Sequence, residues 1–372
     1  MLHRKFILTC FTILIFLLAA CTQPGKNSLQ TIRVNVDEDF PADSFFSAYT
    51  FIQLDSTTTP MVSDVRDIRF HDQCIYILDD NGRVFTFDTN GHHMGTLDSM
   101  GLGEGEYATA DAFDITGAGI FVLSRPQKRI MQYTFDGHLT RIIPLHDYYL
   151  DLRVLSDSSI VLASGNCNNR MFNFMTYNMK SGNFTHEAAP FERTESFTSD
   201  AYHPFVGQSG DTLLVSSPFE TKIMLLCGDE TAPFKTYAFN TDQQMPEPME
   251  DYTFEEIAQM TRHKHVVRGI ALYKSTQQAD YIGYELFGKC GLSFQLARSK
   301  PDGSVQNMTI MNNPEPTFPY LSAPLGAIGD RLASVMPAYA LLQTEKAYGL
   351  NKFTSMGLHP TDNPIVFLHK LR

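Results

Sequence analysis

Residues 65–145 contain the same series of four short apolar segments twice, and this repeat restricts the fold more than any other feature of the sequence. Ile75 in the first copy corresponds to Ile120 in the second at an offset of 45 residues, and Gly91 corresponds to Gly137 at an offset of 46. Each segment is rich in β-branched and aromatic residues, and Asn-Gly or Asp-Gly dipeptides supply the positive φ angles of tight hairpins. We therefore predict four antiparallel strands in each copy, joined in chain order.

A period of about 40–50 residues with four strands per unit is typical of the blades of a β-propeller. One such sheet cannot bury both of its faces, so further blades must stack beside it. The 324 residues from position 49 onward divide into six units of 54 residues, which leaves room for insertions. The sequence therefore predicts an all-β domain over residues 45–372, a six-bladed β-propeller with four-stranded antiparallel blades.

Two segments in the second half of the chain have helical periodicity. Residues 253–256 form a capping box, and one helix face is formed at helical spacing by Phe254, Ile257, Ala258 and Thr261. This pattern predicts a helical insertion between blades 4 and 5. His263 and His265 follow it, where cations favour the negative end of the helix dipole, although a metal-binding lip is an alternative reading. A second, short helix is predicted at residues 338–347.

The last blade must be completed from both ends of the chain. Only two strands, at residues 321–328 and 332–336, precede the second helix. Residues 365–371 can supply the third strand and residues 49–55 the outermost one. Pairing the two ends in one sheet removes the open edge of the ring, so we predict that N- and C-terminal strands close the last blade.

Two stretches of the sequence resemble a known family. Residues 101–107, Gly-Leu-Gly-Glu-Gly-Glu-Tyr, join the two copies of the repeat, and residues 362–371 contain the strand predicted at 365–371. Both are similar to segments of the NHL-like, six-bladed β-propeller lipoproteins of gut Gram-negative bacteria. That family usually has proline where this chain has Glu104, so a φ restraint is missing here. The resemblance implies the propeller fold and brings no catalytic residues with it.

The N-terminus has the composition of an export signal. Arg4 and Lys5 precede a mostly apolar run at residues 6–18 that is too short for an ordinary membrane span. Leu-Ala-Ala-Cys, ending at Cys21, resembles the bacterial lipobox, whose cysteine is lipidated and becomes the first mature residue. We predict a lipoprotein signal peptide at residues 1–20, membrane attachment through lipidated Cys21, and a polar tether at residues 21–44.

This reading predicts an outer membrane lipoprotein facing the periplasm, because no acidic cluster follows the cysteine as a surface-export signal; the cell surface stays open as an alternative. Removal of the signal peptide takes away two basic residues, so 27 basic and 41 acidic residues remain, a formal charge of −14. An anionic chain without a basic stripe argues against nucleic acid as a partner.

Four further cysteines have wide spacing and no C-x-x-C motif, so their disulfide state is open: they are Cys74, Cys167, Cys227 and Cys290. Two of them, Cys74 and Cys227, lie in or beside apolar strands, where we expect small buried hydrophobic side chains.

Local motifs for catalysis are missing from the sequence. There is no G-x-S-x-G, H-E-x-x-H or Walker A segment. No cofactor is predicted, although a propeller can assemble a zinc or calcium site from separate blades, so both metals stay open. The histidines available for such a site are His71, His92, His93, His138, His146, His186, His203, His263 and His265.

Charged residues on the predicted inner strands and on the glycine-rich connector are the candidate binding residues. Alternation places Asp67 and Arg69 on one face of their strand, where they can line the channel or simply form ion pairs. The connector carboxylates can bind a cation, or the connector can be a turn that needs positive φ. The candidates are Asp67, Arg69, Glu104, Glu106, Asp111 and Asp114.

Two functions fit this set of features. The first is a lipid-anchored, non-enzymatic binding or scaffold protein that uses one propeller face or the central channel to bind a peptide, a glycan or a partner protein. The alternative is a metal-dependent lyase or hydrolase with its site in the channel, assembled from residues that are distant in the sequence.

Overall fold

A computed structural model gives the structure of the protein, and it describes residues 31–57, 59–192, 203–241, 259, 265–288, 291–310 and 317–372. Six four-stranded antiparallel blades are arranged in a ring around a central channel, and one blade has an additional fifth strand. The prediction of a six-bladed β-propeller is therefore confirmed. The predicted helical insertion between blades 4 and 5 falls, but for Gln259, outside the described residues.

The chain enters the propeller through two strands, β1 (Thr31–Val34) and β2 (Phe46–Gln53), separated by a short 3-10 helix, Ala42–Ser44. Blade 1 consists of β3 (Val65–His71), β4 (Cys74–Asp79), β5 (Val84–Asp88) and β6 (His93–Leu97). Blade 2 consists of β7 (Ala112–Thr116), β8 (Gly119–Ser124), β9 (Arg129–Tyr133) and β10 (Leu139–Pro144). Blade 3 consists of β11 (Asp151–Ser156), β12 (Ser159–Ala163), β13 (Phe172–Asn178) and β14 (Asn183–Pro190).

The second half of the ring repeats this order. Blade 4 consists of β15 (Phe205–Ser209), β16 (Thr212–Val215), β17 (Lys222–Cys227) and β18 (Glu230–Phe239). Blade 5 consists of β19 (Val266–Ser275), β20 (Asp280–Gly288), β21 (Gly291–Ser299) and β22 (Val305–Ile310). Blade 6 contains β23 (Pro324–Ile328), β24 (Arg331–Met336) and β25 (Ile365–Leu371).

Strand β2 completes blade 6. It pairs antiparallel with β25, so that Phe51 lies opposite Phe367, and β25 pairs on its other side with β24. The sheet order is therefore β2-β25-β24-β23. This pairing confirms the prediction that N- and C-terminal strands close the last blade.

Blade 4 has a fifth strand that the sequence did not indicate. Strand β1 pairs parallel with β18, with Ile32 opposite Tyr237. Its side chains alternate between exposed and buried, and Ile32 and Val34 enter the apolar core between blades 4 and 5. The segment before β2 therefore crosses from blade 4 to blade 6 and contacts both.

Two helices, α1 (Ala338–Tyr348) and α2 (Lys352–Ser355), form the connection between β24 and β25. Gly349, with φ of 67°, ends α1 in the left-handed conformation that glycine adopts without strain. Glu345 is buried and accepts hydrogen bonds from the backbone N–H groups of Phe353 and Thr354, at 2.8 and 2.9 Å. This carboxylate therefore joins the two helices. Helix α1 confirms the short helix that the sequence predicts at residues 338–347. No helix in the described ranges is long and apolar enough to cross a membrane.

Candidate functional site

The first strand of every blade contributes to one cavity of about 310 Å³ along the central channel. The backbone of these strands is held by the outer strands of each blade, so the side chains that face the cavity have a rigid support. Most of the apolar lining comes from blades 4, 5 and 6. The polar and charged lining residues are Asp67, Arg69, Asp114, Asp151, Arg153, His203, Gln208 and Lys274.

Equivalent positions in the blades can be identified from strand register. In blades 1, 2 and 3, the residues opposite the third position of the second strand are Arg69, Asp114 and Arg153. The same position in blades 4 and 6 is Gly207 and Gly326. One layer of the channel therefore has an Arg-Asp-Arg arc on three consecutive blades and glycines on the opposite side.

Asp67 and Arg69 on β3 have the same local arrangement as Asp151 and Arg153 on β11. In each pair the arginine Nη1 donates to the aspartate Oδ1, over 3.1 Å in the β11 pair. The same Nη1 donates to the carbonyl oxygen of the intervening residue, at 3.0 Å in β3 and 2.6 Å in β11. Each aspartate Oδ1 also accepts the backbone N–H of that residue, so both guanidinium groups are fixed by their own strand.

Asp114 lies between the two arginines. Its Oδ2 accepts the backbone N–H of Val154 at 2.7 Å, and its Oδ1 is 3.7 Å from Arg69 Nε. Burial raises the pKa of Asp114, and the positive charges of Arg153 and Arg69 oppose this rise. The carboxylate thus joins blade 2 to blade 3 and lies close to the guanidinium group of blade 1.

The arginines also contact the next blade along the ring. The guanidinium carbon of Arg69 lies 5.5 Å from the ring centroid of Phe113, and that of Arg153 lies 4.8 Å from the ring centroid of Phe205. Burial alone would lower the pKa of Arg69, but the neighbouring carboxylates, Asp67 first among them, raise it. These contacts form a charged belt on the channel wall that connects blades 1 to 4.

The opposite side of the channel is built for close approach of the strands. A Cβ atom on Gly207 would lie 2.8 Å from the carbonyl oxygen of Tyr273, and one on Gly326 would lie 3.2 Å from Ile68 Cγ2. Blades 4 and 5, and blades 6 and 1, therefore approach each other closely at these points. The cavity is also lined by the next residue of each strand, Lys274 after Tyr273 and Ala327 after Gly326.

The structure places three of the six predicted residues in this cavity, namely Asp67, Arg69 and Asp114. Asp111 is not among the lining residues: its Oδ1 accepts Arg125 Nε at 2.8 Å, and its Oδ2 accepts the Arg125 backbone N–H at 2.8 Å.

The connector at residues 101–107 lies between β6 and β7, away from the cavity lining. Glu104 is exposed, and Glu106 folds back so that its Oε2 accepts the backbone N–H of Gly103 at 2.8 Å. Tyr107 is fully buried and donates its hydroxyl to the carbonyl oxygen of Gly82 at 2.9 Å. The connector is therefore anchored to blade 1 by its own side chains.

Three charged side chains of the lining were not among the six candidates: Asp151, Arg153 and Lys274. The sequence Asp-Leu-Arg at 151–153 repeats the Asp-Ile-Arg at 67–69, and this match in the first strands of blades 1 and 3 was an available signal. For Lys274 no comparable signal exists, because β19 contains two register shifts that change which side chains face the channel.

Metal-binding residues do not converge in the described part of the chain, where no group of three or more His, Cys, Asp or Glu side chains could hold a metal ion. Of the nine histidines considered, His203 lines the cavity, and His263 lies outside the described residues. Cys74, Cys167 and Cys227 have free thiols, and Cys290 lies outside the described residues. Cys227 is exposed at the end of β17, so the expectation that it is buried is wrong.

The fold and the channel define a six-bladed β-propeller with a polar cavity on its axis. The chain belongs to the family described as "Domain of unknown function (DUF4934)", whose model matches residues 29–370. It has no significant match among curated proteins.

Two crystal structures are similar to it in fold. A protein of Bacteroides fragilis NCTC 9343, described only as a candidate exported protein, has a TM-score of 0.75 at 16% identity, covering 92% of this chain and 100% of that one. A member of the DUF4221 family from Bacteroides vulgatus has a TM-score of 0.50 at 10% identity, covering 88% of this chain and 97% of that one.

Proposed function

We propose that the protein is a lipid-anchored, extracytoplasmic binding protein that holds its ligand in the central cavity. The observation that carries this proposal is the charged belt on the channel wall, in which Asp67, Arg69, Asp114, Asp151 and Arg153 are held in one geometry and still border a cavity. Side chains fixed in this way lose little conformational entropy when a ligand binds.

The size of the cavity sets the size of the bound group. Ligand pockets typically enclose about 300–1,000 Å³, and this cavity, at about 310 Å³, is at the lower end of that range. It fits one sugar unit, one amino acid or a similar small polar group. A longer glycan or peptide, or a loop of a partner protein, would place only its end in the channel.

The proposed location rests on the N-terminal sequence. The signal peptide, Cys21 and the following tether support an outer membrane lipoprotein on the periplasmic side, and the resemblance to NHL-like propeller lipoproteins supports the same assignment. The description of the Bacteroides fragilis protein of similar fold as a candidate for export is compatible with it. The negative charge of the chain disfavours nucleic acid as a ligand.

Filling the cavity is expected to abolish ligand binding. Ala327 lines the cavity, and Ala327→Trp would place an indole ring in it without removing any residue of the charged belt. Ala232→Trp, at an exposed position of β18, is the matched control. The measurement is thermal shift with a panel of mono- and oligosaccharides and short peptides.

We expect at least one class of compound to raise the melting temperature of the wild type and of Ala232→Trp, and to leave Ala327→Trp unchanged. Equal shifts in all three proteins would place the binding site elsewhere. A panel in which no compound stabilises the wild type would count against a binding role for the cavity.

Replacement of Cys21 is expected to release the protein from the membrane. Cys21→Ser removes the thiol that accepts the lipid, and a protein without acyl chains has no stable hold on a bilayer. The measurements are metabolic labelling with radioactive palmitate and fractionation of cells into membrane and soluble parts. Cys167→Ser, which retains the N-terminal cysteine, is the control. Label that persists in Cys21→Ser would contradict lipidation at this residue.

A further inference from the structure

The cavity is lined by equal numbers of carboxylates and cations, but not all of the cations are paired with a carboxylate. Three carboxylates, Asp67, Asp114 and Asp151, and three cations, Arg69, Arg153 and Lys274, line it. Two carboxylates are bound by the arginine two residues further along the same strand. The third, Asp114, accepts the Val154 backbone N–H and lies close to Arg69. Every lining carboxylate therefore already has a partner in the wall.

Two hydrogen-bond donors on the cavity lining have no such partner in the wall. The side chain of Lys274 is half-buried, and its ammonium group forms neither an ion pair nor a hydrogen bond with any described residue. The Nε atom of Arg69 is buried without a hydrogen-bond partner among the described residues, since the nearest carboxylate oxygen is 3.7 Å away. A buried donor that is left unpaired is unfavourable, so a ligand that supplies an acceptor gains from this arrangement.

These donors lie on the two sides of blade 6. Lys274 belongs to the inner strand of blade 5 and Arg69 to that of blade 1. Between them, blade 6 contributes Pro324, Leu325, Gly326 and Ala327, none of which has a polar side chain. The two donors therefore lie on either side of an inner strand that offers no side-chain donor or acceptor of its own, and both of the unpaired groups are donors.

We propose that the cavity binds the carboxylate group of its ligand, with Lys274 as the counter-ion and Arg69 Nε as a second donor. The proposal rests on the proposed function and assigns the chemical class of its ligand. A monoanion fits better than a phosphate dianion, because the three lining carboxylates would repel a second negative charge at short range. Acidic sugars and the C-termini of peptides both carry such a group.

The test compares acids with neutral analogues of the same shape. D-glucuronate is paired with D-glucose, and N-acetylalanine is paired with its amide; one pair represents acidic sugars and the other peptide C-termini. Binding is measured by isothermal titration calorimetry at constant ionic strength, with wild type, Lys274→Met, Lys274→Arg and the surface control Lys222→Met. Lys222 is exposed on β17 and is not among the residues that line the cavity.

We expect at least one acid to bind about tenfold or more tightly than its neutral analogue, as hydrogen bonds to charged groups usually allow. Lys274→Met should remove this difference, Lys274→Arg should retain part of it, and Lys222→Met should keep it. The pair that shows the difference identifies the source of the carboxylate. Acids that bind no better than their analogues, or a preference that survives in Lys274→Met, would overturn the proposal.

Ala327→Trp separates this proposal from the proposed function. If a neutral compound binds, and Ala327→Trp abolishes its binding while Lys274→Met does not, the cavity is a binding site but not for a carboxylate. If neither substitution affects the binding of any compound, both proposals are wrong.

Discussion

A chain that lacks residues 365–372 is expected to lose its cooperative unfolding transition. These residues include β25, which pairs with β2 on one side and β24 on the other, so its removal leaves the ring open. Ile365, Val366, Phe367 and Leu371 are buried in the cores of blade 6 and its neighbours. Burial of each such side chain contributes about 1.5–3 kcal/mol, and four together approach the whole net stability of a domain, about 5–15 kcal/mol.

Differential scanning calorimetry measures this effect. Two single substitutions on β25 show how much of it comes from a buried side chain and how much from an exposed one. Phe367→Ala removes a fully buried ring and should cost about 3–5 kcal/mol. Lys370→Ala is the matched control, because this side chain is 48% exposed and its ion pair with Asp330 spans 3.7 Å, so its loss should cost less than about 1 kcal/mol. An unchanged transition in the truncated chain would mean that the ring does not depend on this closure.

Local signals made most of the propeller predictable. The hairpins of blades 1 and 2 follow from glycines that have positive φ, such as Gly91 at 89° and Gly137 at 85°. The closure of the ring followed from counting, because blade 6 lacked two strands and each end of the chain had one unassigned strand. These predictions needed only nearby residues and the requirement that no sheet edge remains open.

The fifth strand of blade 4 had no such signal. Strand β1 has only four residues, and its partners on β18 are about 205 positions away, as in the pair Thr31 and Thr236. A parallel pairing has no turn that could mark it in the sequence. Its position depends on the apolar contacts of Ile32 and Val34, which tertiary structure alone brings together.

The site was only partly predictable for a related reason. Alternation along a strand correctly placed Asp67 and Arg69 on the channel side of β3. Asp111 was a candidate as the first residue of the predicted inner strand of blade 2, but it precedes β7 and its carboxylate bonds Arg125. The connector carboxylates were candidates because of composition alone, yet the carboxylate of Glu106 accepts a hydrogen bond from Gly103 in the same loop. Strand register decides which side chains face the axis, and β-bulges change the register without a clear signal in the sequence.

Lowering the pH from 6.5 to 4 is expected to destabilise the propeller through His369 by about 3 kcal/mol. This histidine lies on β25, fully buried, with its ring stacked on Phe367 at 6.1 Å and close to Phe46 at 5.5 Å between centroids. Its Nδ1 has no hydrogen-bond partner among the described residues, and its Nε2 is 3.4 Å from Ser334 Oγ. Burial in this aromatic cluster lowers the pKa of His369 from 6.5 to about 4.

The direction of the effect follows from proton binding. Between the two pKa values, the unfolded chain binds a proton at His369 and the folded chain does not, so acid favours unfolding. The stabilisation from the neutral ring is complete above pH 6.5 and is lost as the pH falls through about 4. Because β25 closes the ring, this loss acts on the same strand whose removal is expected to abolish cooperative unfolding.

Other groups titrate in the same range, so the effect has to be measured as a difference. His369→Phe keeps an aromatic ring in the cluster and removes the titration, whereas His146→Phe removes an exposed histidine and is the control. Urea unfolding at pH 7, 5.5 and 4 should show the wild type and His146→Phe losing about 3 kcal/mol more than His369→Phe across the series. Parallel pH profiles for all three proteins would mean that His369 is protonated in the folded propeller as readily as in the unfolded chain.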